Sequence, residues 1–60
     1  MWQVQIMDIQ NPIWRTRATA DMGMFAEEVF KAVKSCLPKS YGVRLISPKG
    51  AVLQEDTGEV

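Results

Sequence analysis

The apolar residues of this chain change their spacing twice, and that change limits the folds open to it. Trp2, Val4 and Ile6 alternate with Gln3, Gln5 and Met7. The alternation resumes over residues 13–20, where Arg15 and Arg17 separate Trp14, Thr16 and Ala18. A period of two is how a strand with one buried and one wet face is written. From Met22 the spacing becomes three and four, through Phe25, Ala26, Val29, Val33, Cys36 and Leu37, which is one face of a helix. Phe30 and Met24 widen that stripe, and Glu27, Glu28, Lys31, Lys34 and Ser35 fill the opposite side. Period two then returns over residues 41–47, with Tyr41, Val43 and Leu45 on one face and Arg44 and Ile46 on the other.

The breakers agree with this division. Asn11-Pro12 interrupts the first alternation, within an expected loop over residues 8–12, and the short connection favours an antiparallel hairpin. Asp21 is the expected helix cap, accepting N–H groups two or three residues on. Pro38 ends the helix near Cys36, because it cannot continue the ladder and disfavours a helical Leu37. Glu27 and Lys31 stand at i and i+4 with the acid first, worth about 0.3–0.5 kcal/mol. Pro48-Lys49-Gly50 reads as a tight turn, with Gly50 taking the awkward φ, and residues 51–54 as a possible short edge strand. The expected fold is therefore a small α+β domain of β-β-α-β order with a possible short fourth strand. One amphipathic helix packs on one face of a three- to four-stranded sheet. The expected domain spans residues 1–54, and residues 55–60 read as a flexible acidic tail. The expected core is Trp2, Val4, Ile6, Trp14, Phe25, Val29, Val33, Val43 and Leu45.

A chain of 60 residues makes one domain. At this size only about 60% of the unfolded surface is buried, so the core is marginal. Residues 1–50 hold all seven cations and four of the seven anions, and the last ten residues hold the other three anions. A mildly basic body with a pI of about 6.1 for the whole chain is far from the pI above about 9 usual for a nucleic-acid-binding domain. The single cysteine forbids an intramolecular disulfide, and the absence of histidine excludes the usual Cys/His zinc spacings and His acid–base chemistry. No cofactor or metal site is expected. The N-terminus lacks the pattern of a signal peptide, and no run of about 18 apolar residues suggests a membrane span. A reducing, cytoplasmic setting is the expectation.

With one helix, one sheet face stays open. Period two places Met7, Arg15, Arg17, Arg44 and Ile46 on it, beside Gln3, Gln5 and Ile13. These five residues, Arg15, Arg17, Arg44, Met7 and Ile46, are the candidate contact face for a partner, since Arg and Met are enriched at protein interfaces and Arg pairs bidentately with carboxylates or phosphates. The bland alternative is a solvated face whose Arg stems cover apolar surface. On this reading Trp14 lies on the opposite face from the arginines and offers them no stacking platform, which weakens a nucleic-acid role. Met22, Met24 and Phe25 fill core gaps or form an adaptable patch. Cys36 reads as a buried structural thiol. Glu27 and Glu28 point in different directions, so no nucleophile–base constellation supports an enzyme.

The segments W-Q-V-Q-I, R-A-T-A-D-x-x-x-x-A-E-E-V and Y-G-V-R-L-I-S-P resemble a class of very small phage-encoded proteins, nearest the early phage inhibitors of host RNA polymerase. The resemblance spans roughly residues 2–48. It implies a stoichiometric, non-enzymatic inhibitor acting in the host cytoplasm by binding a larger host protein. The family's two functional arginines align with Leu45 and Ser47, and Arg44 stands one place out. Its acidic strip is reduced to Glu27 and Glu28, offset by Lys31 and Lys34. The functional expectation is a phage or mobile-element accessory protein that binds and modulates a host protein. The alternatives are a weak nucleic-acid-binding module on the Arg-bearing face and a structural homodimer that buries it.

Overall fold

The computed structural model describes residues 1–56. Strand β1 (Trp2–Asp8) turns back on β2 (Asn11–Ala20) through Ile9 and Gln10. Asp8 Oδ1 accepts the Gln10 backbone N–H at 3.0 Å, an Asx turn that tightens the connection. The expected loop over residues 8–12 is thus shorter, and Pro12 lies inside β2. It is tolerated there because β2 is an edge strand whose outer N–H groups have no ladder partner. Helix α1 (Gly23–Cys36) follows, then β3 (Tyr41–Ile46) and β4 (Val52–Asp56).

The four strands form one antiparallel sheet in the order β2-β1-β3-β4. The chain therefore crosses over β1 between β2 and β3, and α1 is the crossover. The fold is α+β, with the helix on one face. The short fourth strand is present and extends through Glu55 and Asp56, the first two residues of the expected tail. The remainder of that tail, residues 57–60, lies outside the described residues. Between β3 and β4, Gly50 N–H donates to Ser47 O at 2.9 Å and Gly50 takes φ +87°, as the Pro-Lys-Gly turn requires.

Val4, Val43 and Leu45 of the sheet meet Ala26 and Phe30 of the helix, and these five are the core cluster. Trp2, Ile6, Ala18, Ala20, Val29, Val33 and Leu37 pack around it, half-buried. Trp2 lies so close to Gly23 that a Cβ there would stand 3.0 Å from its ring. Glycine suits this point because indole and helix backbone approach so closely.

Three expected core or structural residues lie elsewhere. Phe25 is 53% exposed and Cys36 is exposed. At about 100° per residue, they fall some 80–100° around the helix from Ala26, on its flank. The inward arc is centred instead on Ala26, Phe30, Val33 and Leu37. Met22 and Met24 are exposed with Phe25, so this cluster does not fill core gaps.

Trp14 is the third. Val4 pairs with Ala18 but Gln5 pairs with Thr16, so Arg17 is an extra residue in β2. A bulge of this kind lets two residues oppose one and inverts the alternation beyond it. Ala18 and Ala20 consequently face the helix, while Thr16 and Trp14 face away. The helix also starts differently from expectation. Its N-cap is Met22, with extended φ and ψ and no side-chain cap, because Ala26 N–H bonds to Met22 O at 3.0 Å. Asp21 stands one residue too early to cap it.

Candidate functional site

Among the described residues nothing covers the sheet face opposite the helix, and its register is set by β1. Gln3, Gln5 and Met7 point to that side, opposite Ile46, Arg44 and Gly42 of β3. Thr16 and Trp14 join them from β2 after the bulge, and Val52 and Glu55 from β4.

The centre of this face is built from Trp14 and Arg44. The Arg44 guanidinium carbon lies 4.2 Å from the Trp14 ring centroid. The indole reaches across β1 to β3, where Gly42 leaves room for it: a Cβ at Gly42 would stand 3.3 Å from Trp14 Cη2 and 3.5 Å from Met7 Cε. Arg44 is held from its other side, with Nε donating to Gln5 Oε1 at 2.7 Å. Gln5 Nε2 in turn donates to Gln3 Oε1 at 3.2 Å, and Thr16 Oγ1 donates to the same oxygen at 3.1 Å. A line of amides and a hydroxyl thus runs across the face and fixes the guanidinium plane. The stack is worth about 0.5–1 kcal/mol at an exposed site. Its chemical consequence is larger: the terminal guanidinium N–H groups are held ready for a planar acceptor.

The five expected contact residues do not share one surface. Arg44 and Met7 are on the open face. Ile46 is there by register but only 9% exposed, so it offers little to a partner. Arg15 pairs with Ile6, a core-facing residue, and therefore points to the helix side. Arg17 is the bulged residue and lines a groove with Ala18 and helix α1. The parity that assigned Arg15 and Arg17 to the open face is inverted by the bulge. For the same reason Trp14, expected on the far side from the arginines, is the ring against which Arg44 stacks. Sequence reasoning missed Trp14 as a surface residue. The available signal was the polar hydroxyl of Thr16 beside apolar Ala18 and Ala20, a break in the face that a bulge repairs.

Charge on the open face is balanced. Its charged positions among the described residues are Arg44 and, directly opposite on β4, Glu55. The Lys34–Asp56 ion pair, at 3.0 Å, lies on the helix side and ties α1 to β4. Among the described residues no group of three or more metal-ligating side chains gathers, and no helix is long and apolar enough to cross a membrane. Comparison with protein-family models, curated proteins and solved structures finds no match for this chain.

Proposed function

We propose that this chain is a non-enzymatic binding module that docks on a larger protein and modulates it by occupying a surface. The supporting observation is the Trp14–Arg44 stack, held by Gln5 on a sheet face that no other layer covers among the described residues. Trp and Arg are the residues that most often dominate binding energy at interfaces, and Met7 beside them adapts to a partner's shape. The face combines apolar area, fixed amides and a near-neutral charge, which suits protein contact. Nucleic acid needs an excess of cations to neutralise phosphate, and Glu55 opposes Arg44 here.

The contact surface is accordingly Trp14, Arg44 and Met7, with Gln3 and Gln5. The resemblance to small phage inhibitors is consistent with action by occupancy, in host cytoplasm. It does not extend to their contact arginines, since one aligned position, Leu45, is buried under the helix. The test is affinity capture from bacterial lysate with the tagged chain and a Trp14→Ser, Arg44→Ser variant, each with and without nuclease. Specific capture of a protein that survives nuclease and is lost in the folded variant supports the reading. Capture unchanged in the variant, or abolished by nuclease, rejects this face as a protein-binding surface.

A further inference from the structure

A second surface follows from the bulge. Past Arg17, the helix-side residues of β2 are Ala18 and Ala20, too small to fill the space between this edge strand and α1. The result is a groove of about 420 Å³, floored by Ala18 and walled by Ala32, Val33, Cys36 and Leu37, with Arg17 at its rim. A smaller concavity of about 240 Å³ continues along the same strand and holds Ile6, Ile13, Tyr41, Asp8 and Arg15. Beside both runs the outer edge of the ten-residue β2, which among the described strands pairs only with β1. The Arg15 and Arg17 side chains have no ion pair or hydrogen bond among the described residues.

We propose that the β2 edge takes up an extended, acidic segment of a partner protein as a fifth strand. Its backbone completes the unpaired N–H and C=O groups of β2. A long apolar side chain opposite Ala18 reaches over that methyl onto the helix flank, and an acidic side chain two residues on stands opposite Arg15, with the bulged Arg17 between the two positions. Cross-strand neighbours stand about 4.5–5.5 Å apart, within ion-pair reach for these side chains. Two-fold pairing of β2 with itself about Thr16, near the middle of the strand, would set Arg15 of one copy against Arg17 of the other, so these arginines select against a second copy in that register. The occupant is therefore a different chain of opposite charge. This surface is separate from the open face.

The test titrates the isotope-labelled full chain with the acetylated, amidated peptide TLTETET and with its lysine counterpart TLTKTKT, followed by amide NMR shifts. Shifts confined to β2 and to Ala32 and Cys36, with affinity about tenfold tighter for the glutamate peptide, are the expected result. Arg15→Ser with Arg17→Ser should abolish that preference while keeping a dispersed, folded spectrum. Arg44→Ser, on β3 and away from this edge, should leave it unchanged, so failure here and failure of the open-face reading are told apart. No shifts at about 1 mM glutamate peptide, equal response to both peptides, or shifts on Gln5 and Arg44 instead would overturn the proposal. Tighter binding of oligothymidylate at β2 would also overturn it, in favour of phosphate.

Discussion

A methyl group at Gly42 would meet three things at once: Trp14 Cη2 at 3.3 Å, Asp56 O at 3.4 Å and Met7 Cε at 3.5 Å. Alanine would ordinarily favour a strand over glycine by about 0.5–1 kcal/mol. Here the crowding wins, because Trp14 is pinned by Arg44 and the Asp56 carbonyl belongs to backbone. Gly42→Ala is expected to lower stability by about 1 kcal/mol net and to change the near-ultraviolet circular dichroism of Trp14. A urea midpoint at or above that of the parent would show that the indole moves freely. Arg44→Lys should keep the charge but lose the planar stack and the Nε bond to Gln5, weakening partner capture without unfolding the chain. Full capture by Arg44→Lys would mean that charge alone matters.

At the scale of the elements, α1 begins without a cap. Met22 has cap-like extended backbone, is 55% exposed and supplies no side-chain acceptor. Met22→Ser should therefore stabilise by about 1 kcal/mol, raising Tm by roughly 4–8 °C. An unchanged Tm would mean that the helix start is limited by tertiary contact with Trp2. The first and third strands, the body of β2 and the helix were legible in the sequence, and residues 51–54 only as a possible short strand, because period two and period 3.6 are properties of neighbours along the chain. Which face Trp14 occupied was not. That depends on Arg17 being extra in a cross-strand register, and a register is a relation between two strands. The same inversion divides the expected contact set, sending Arg15 and Arg17 to the groove and leaving Arg44 with Met7. Cys36 and Phe25 were misplaced more mildly, by a rotation of the buried arc that only packing against Val4, Val43 and Leu45 sets.

For the whole molecule the margin is small. A single core in a chain of this size rarely supplies more than about 3–5 kcal/mol of net stability. Leu45 is 1% exposed at the centre of the cluster. Leu45→Ala should cost about 2–5 kcal/mol and leave the chain largely unfolded at 25 °C, whereas Leu45→Met should cost less than about 1.5 kcal/mol and fold. Circular dichroism and urea titration distinguish them; a folded Leu45→Ala would mean that stability comes from elsewhere. The Lys34–Asp56 pair carries little of it. Both side chains are about half exposed, so Lys34→Ala should cost less than about 1 kcal/mol, and salt should shrink that difference further.

By itself the sequence determined the type and order of the elements, the turn at Gly50 and the end of the helix before Pro38. Each of these follows from local backbone sterics and from the spacing of apolar residues. The tertiary structure decided the sheet order, the extension of β4 to Asp56, the bulge at Arg17 and the stack of Arg44 on Trp14. These depend on which strands lie side by side and in what register. A one-residue shift between neighbouring strands moves side chains across the sheet without changing any spacing along the chain.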